Sequence, residues 1–381
     1  MESNAKQESV LPNYSNLLDA DLSLYNVGST IPFKAMKPIN FYDERKSFFD
    51  SSDYEPVFRY EDVSADVFQT VHMALDDLDI DKATALGRIL ERKKQLLKQK
   101  ARMIEYIGSS GFTKYSVSAY GEPSEQLVRS AYQILRRPLP RRKKKLRLKN
   151  KDTIDLLRNV YSAYKLRWEV TRRDMITDAA VSINDRKLYL NEKTRFSETF
   201  VKRLIVHEIG THVLRAENGR QQPFLIFSTG FPGYLSTEEG LAAYLEEVFN
   251  VMDHNILRIY AGRTIAVNFA RNNSFRQTFH HLRQYFPKYT AFKLTARAKR
   301  GLTDTSKPGC FTRDHVYLKG YFQVKEFYEQ HQTLDPLMYG KIGIEDVGIL
   351  EEIPDLRPPK YNLDMIKKIV SHRFLRLYLD Q

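Results

Sequence analysis

Along most of this chain apolar residues return every three to four positions, the signature of amphipathic helices. The pattern predicts helix over 64–107, where Leu86, Ile89, Leu90, Leu96, Leu97, Ile104 and Ile107 stand among many Lys and Arg. It predicts another over 123–136 on Leu127, Val128, Ala131, Ile134 and Leu135, ended by Pro138 and Pro140. Further helices are expected at 152–168, at 197–215 with Ser197 as N-cap, from near Ser236 to about Tyr260, and at 274–284, 288–300, 313–329 and 338–346. Alternation replaces the helical period at Ala180-Val181-Ser182-Ile183 and Lys187-Leu188-Tyr189-Leu190, on either side of the polar Asn184-Asp185-Arg186, which predicts a β-hairpin. Residues 1–60 are polar and interrupted by Pro12, Pro32, Pro38 and Pro56, and are expected to form an irregular extension wrapped on a domain spanning 61–381. The sum is a mainly helical α+β fold with a small β-sheet beside helix 197–215.

Composition narrows the picture. The chain has 381 residues, 42% of them hydrophobic and 28% charged, which is enough to bury a large core. No apolar run approaches about 18 residues, so no transmembrane helix is expected and no membrane partner. The polar start Met1-Glu2-Ser3-Asn4 does not resemble a signal peptide. Cys310 is the single cysteine, which excludes an internal disulfide and a cysteine metal cluster. These features fit a cytoplasmic protein, and any metal must be held by His and carboxylates. The net charge is +13, and ten Lys or Arg with no acid fall between 136 and 151. That basic segment suits a solvated linker, an acidic protein partner, nucleic acid or an anionic membrane surface. No aromatic interrupts it, so base stacking on nucleic acid is not expected there.

The chemistry concentrates in Val206-His207-Glu208-Ile209-Gly210-Thr211-His212. Two imidazoles and a carboxylate inside an apolar helical run are the groups that bind Zn²⁺ and move a proton beside it. In H-E-x-x-H the four-residue step turns a helix by about 400°, so both imidazoles share a face. Here the step is five residues, about 500° on an ideal helix. His207 and His212 can meet one ion only if the helix tightens, bulges or ends between them, and Gly210 in the gap tolerates such distortion. Glu208 is then placed as general base. A third ligand must come from elsewhere. The best candidate is Glu239 in Thr237-Glu238-Glu239-Gly240-Leu241-Ala242, with Glu238 as the adjacent alternative and Glu246 and Glu247 two turns beyond. A capping box at Ser236-x-x-Glu239 competes with the ligand role. A strand before the motif helix offers an edge for an extended substrate.

Taken together, His207-Glu208-Ile209-Gly210-Thr211-His212, Arg215, Asn218, Gln221-Gln222-Pro223, Glu238-Glu239-Gly240-Leu241-Ala242 and Gly309 to Gly320 resemble the DUF1704 family. That family includes the bacterial QEGLA-motif proteins and the eukaryotic microtubule-associated tyrosine carboxypeptidases, which remove the C-terminal tyrosine of α-tubulin. The resemblance covers about residues 70–380. It implies a zincin-like metallopeptidase with His207, His212 and Glu239 as Zn²⁺ ligands and Glu208 as catalytic residue. This chain has Glu238 where the bacterial motif has Gln. A carboxypeptidase must also hold a free carboxylate, best done by an Arg fork. Arg313 and Lys319, in the late family-like segment, are the candidates. Tyr317 or Tyr321 could stabilise the oxyanion, and Arg215 could serve an internal ion pair. The expected partner is a peptide or protein C-terminal tail, and an acidic tail would suit segment 136–151. Three other classes stay open: a zinc endopeptidase, a regulatory protein holding the metal for structure, and a nucleic-acid binder.

Overall fold

A computed structural model describes residues 14–138, 150–175, 178–183, 185–252 and 254–371. The N-terminal part is helical: α1 (Ser15–Thr30), α2 (Phe41–Asp50), α3 (Ala65–Asp77), α4 (Ala85–Glu105), α5 (Phe112–Tyr120) and α6 (Glu125–Arg136). The irregular extension expected for residues 1–60 is therefore corrected within the described residues. In α1 the buried Leu17, Ala20, Asp21 and Leu24 follow helical spacing, with the polar Asp21 breaking an otherwise apolar stripe. The stretch 64–107 is two helices, since residues 78–84 leave the helix and Thr84 caps the second one by accepting from the Gly87 amide. Most of the basic run, 139–149, lies outside the described residues.

Next come α7 (Asn150–Ala163) and three strands, β1 (Glu169–Arg173), β2 (Ala179–Ser182) and β3 (Lys187–Asn191). The expected hairpin is present, with β2 antiparallel to β3 and Val181 opposite Leu188. β1 begins just past the helix expected over 152–168, where no strand was expected, and it pairs parallel to β3, with Val170 opposite Leu188. The order β1-β3-β2 makes β3 the interior strand. The strand leading into the motif helix is thus paired on both sides; the sheet's edges are β1 and β2, and of these β2 packs against the motif helix.

The remaining elements are α8 (Glu198–Leu204), a π-helical turn (Ile205–Val213), α9 (Leu214–Gly219), α10 (Ile226–Thr229), α11 (Tyr234–Val248), α12 (His254–Ala270), α13 (Phe275–Arg283), α14 (Lys288–Ala298), α15 (Val316–His331) and α16 (Leu363–Ser371). The stretch expected as helix at 338–346 is instead covered by 3₁₀ turns Asp335–Tyr339 and Ile344–Glu352. Ser197 caps α8 by accepting from the Phe200 amide, as its sequence position predicts.

Two apolar cores support these layers. One joins α1, α3, α4 and α5 to α10. The larger one joins the sheet, the motif helix and α11 to α16. At its centre α11 and α15 cross backbone to backbone. A Cβ on Gly240 would lie 2.1 Å from the Gly320 carbonyl carbon, and one on Gly320 would lie 1.8 Å from the Ser236 oxygen. Only glycine allows that approach, and the crossing fixes the residue beside Gly240, which is Glu239. No described helix is long and apolar enough to cross a membrane.

Candidate active site

The five-residue spacing of the histidines is resolved by the π-helical turn. In a π-helix the hydrogen bonds run between residues five apart, so positions five apart come together on one face. The Leu214 amide donates to the Ile209 carbonyl across this step, and the Thr211 hydroxyl reaches back to the Val206 carbonyl at 3.4 Å. The His207 and His212 rings consequently meet, with centroids 5.1 Å apart and planes at 75°. Gly210 faces α16, where a Cβ would stand 3.2 Å from the Ile366 side chain.

α11 supplies the acids. It begins at Tyr234, two residues before Ser236, so Ser236 does not cap it, and its hydroxyl instead meets Gln323 at 2.9 Å. The capping-box alternative for Glu239 falls away. Oε2 of Glu239 lies 3.9 Å from Nε2 of His207, and ligand atoms of His207, His212 and Glu239 all lie within 4.8 Å of one another. Glu238 and Glu246 do a different job. His207 Nδ1 is 2.7 Å from Glu246 and His212 Nδ1 is 2.8 Å from Glu238. Each Nδ1–H donates to a carboxylate, which leaves each Nε2 lone pair free toward Glu239. Arg203 bonds Glu246 at 2.8 Å, and Arg215, fully buried, bonds Glu238.

This donor set fits zinc. Zinc takes His nitrogen and carboxylate oxygen at about 2.0–2.2 Å, so each ligand atom need close by less than about an ångström. The field favours a cation too. Burial opposes charge on His212, but its hydrogen bond to Glu238 and the charges of Glu238, Glu239 and Glu208 prevail and raise its pKa to about 9. Burial raises the Glu238 carboxyl, yet Arg215 and His212 outweigh it and hold the pKa down at about 2. Glu208, beside His207, has no hydrogen bond or ion pair among the described residues.

Cations line the Glu239 side. The charge of Glu239 acts on Arg297, Arg313 and Tyr317. Arg297 forks onto Asp314 and is spent there. Arg313 is different, because its Nε is buried without a partner. Arg263 on α12 has Nε and Nη1 in the same condition, and its guanidinium lies 4.2 Å from the centre of the Tyr317 ring. Arg313 thus stands near Glu239 without a bonded carboxylate, and Arg263, likewise unbonded, lies against the Tyr317 ring on which the charge of Glu239 also acts. Lys319, the other candidate, is exposed on α15, and the group its charge acts on is His315, so the structure does not bring it to the site. Tyr321 is also engaged elsewhere, donating to Glu247.

The family described as microtubule-associated tyrosine carboxypeptidase matches residues 46–375 of this sequence. The chain belongs to that family. A rat relative named microtubule-associated tyrosine carboxypeptidase 1 is 32% identical over 227 residues, covering 55% of this chain and 46% of the relative. Its human counterpart is 32% identical over 206 residues, covering 51% and 43%. A mouse protein named putative tyrosine carboxypeptidase MATCAP2 is 35% identical over 161 residues, covering 41% and 31%. The chain thus spans less than half the length of these relatives.

Other residues behind the tyrosine carboxypeptidase resemblance hold the scaffold. Arg215, Asn218 and Gln222 recur at one-turn intervals and clamp the segment after α15. Arg215 donates to the Leu337 and Ile342 carbonyls at 2.9 and 2.7 Å. Asn218 donates to Met338 and Tyr361 at 2.7 Å each, and Gln222 to Arg357 at 2.8 Å. Sequence reasoning anticipated the Arg215 ion pair but not Glu246 as the partner of His207. Glu246 falls seven residues after Glu239, two helical turns, so the signal was present. Arg263 has no such local signal.

Proposed function

We propose that this chain is a zinc-dependent carboxypeptidase that removes a C-terminal residue, tyrosine or one like it, from a protein tail. The observation that carries the reading is the pairing of a His207–His212–Glu239 tripod with unbonded guanidinium groups of Arg313 and Arg263 on its Glu239 side. The names of the relatives support the terminal tyrosine. Zinc held there supplies a polarised water and an electrophile for the scissile carbonyl. Glu208 takes the proton of the attacking water and returns it to the leaving amine nitrogen. Glu246 and Glu238 fix the His207 and His212 rings through their Nδ1 atoms. Arg313 and Arg263 receive the terminal carboxylate and set the scissile bond one residue from the chain end, a role for which planar guanidinium forks suit both carboxylate oxygens.

The test uses zinc-loaded protein and a peptide library with varied C-termini, each peptide made as free acid and as amide, with products read by mass spectrometry. Loss of one residue from free acids and not from amides is expected. Internal cuts in both sets would establish the endopeptidase instead, and no cuts with zinc bound would leave a non-catalytic metal protein.

A further inference from the structure

Each histidine of the tripod is backed by a carboxylate, and each of those carboxylates is held by an arginine. His212 meets Glu238, which Arg215 bonds, and His207 meets Glu246, which Arg203 bonds. The two arginines differ. Arg215 is fully buried and also holds the Leu337 and Ile342 carbonyls, so it serves the scaffold as well. Arg203 lies near the end of α8, four residues before His207, so both side chains reach from one helix face toward α11. Both donate to the same atom: Glu246 Oε1 is 2.8 Å from Arg203 Nε and 2.7 Å from His207 Nδ1. The Glu246 side chain is 0% exposed, and its other oxygen is buried with no hydrogen-bond partner among the described residues. The carboxylate is therefore anchored through one oxygen, and a group pinned at one oxygen is free to swing unless a second donor fixes it. Arg203 is that second donor. Its guanidinium is itself held 5.8 Å from the centre of the Phe200 ring.

We infer that Arg203 is a positioning residue: it aims the Glu246 carboxylate at Nδ1 of His207 and thereby keeps Nε2 of that ring turned toward the metal position. This assignment rests on the zinc reading of the site. Its sign separates it from plain charge. A cation near a dication repels it, so removing Arg203 would tighten zinc binding if its charge alone mattered. Positioning predicts the opposite. Arg203→Met keeps a long apolar stem beside Phe200 and removes the donors. Zinc affinity of the full chain, measured by competition with a chromogenic chelator, should weaken about tenfold, the lower end for a group behind a ligating histidine. Arg203→Lys retains a donor and should recover most of that loss. Arg203→Met also leaves Glu246 buried without its cation, which opposes folding. The double variant Arg203→Met/Glu246→Gln removes that uncompensated charge and completes the test. If Arg203 acts through Glu246, the double variant binds zinc as Glu246→Gln alone does, within about twofold, whereas independent roles would multiply the two losses. Unchanged or tighter zinc in Arg203→Met, no recovery with Lys, or multiplied losses in the double variant overturns the assignment and leaves the zinc site standing. A wild-type protein that takes up no stoichiometric zinc overturns the zinc reading, and the Arg203 assignment with it.

Discussion

At the scale of single residues, the site separates two kinds of carboxylate on one helix. Glu239 faces the free nitrogens of the histidines, whereas Glu238 and Glu246 accept from their other nitrogens. The two kinds should fail differently. Glu246→Gln is expected to weaken zinc binding by about 10–100-fold, the usual cost of losing a carboxylate behind a ligating histidine, and competition with a chromogenic chelator measures it. Glu208→Gln should bind zinc like the wild type yet hydrolyse at least about a hundredfold more slowly. Comparable losses of zinc in both variants would remove the distinction drawn between them. Much of this arrangement was legible in the sequence. The five-residue step between His207 and His212 demanded a distorted helix, and Arg215 was readable as an ion-pair partner. Arg263 and Glu239 come from separated elements, α12 and α11. Their convergence depends on packing, which periodicity does not encode.

At the scale of elements, the π-helical turn and the α11–α15 crossing set the geometry. Gly240→Ala should cost at least about 1–3 kcal/mol, the range for overpacking a tight contact, because its Cβ has only 2.1 Å to the Gly320 carbonyl carbon. Denaturant midpoints of the two proteins test this. Element types were largely readable where apolar residues recur without interruption. α1 escaped because Asp21, inside its buried stripe, is polar, and burial pushes that carboxyl up to about 6. β1 escaped because five residues directly after a helical stretch carry too short a pattern to mark a change of period.

At the scale of the whole molecule, buried ion pairs tie the two cores to the site and give stability a pH dependence. Burial opposes the Asp314 charge, but Arg297, Arg263 and Arg300 overcome it and hold the carboxyl below its ordinary 3.8. Glu238 is likewise held at about 2 against an ordinary 4.5. For carboxylates lowered on folding, the stabilisation is fully present above the unfolded values and is lost as pH falls through the folded ones. Urea midpoints of the metal-free protein should therefore begin to fall below about pH 4.5 and continue falling toward pH 2. Asp314→Asn should flatten that decline and lower stability at neutral pH by up to about 3 kcal/mol; an unchanged acid limb would mean Asp314 is not held as described. The carboxypeptidase chemistry proposed for this chain depends on one divalent ion shared by α11 and the π-helical turn. A zinc-edge anomalous difference map from crystals of the zinc-loaded protein tests this most directly. A single peak bonded to His207 Nε2, His212 Nε2 and Glu239 is the expected result. A zinc-loaded crystal with no peak there, or with its zinc bound by other residues, would contradict the account.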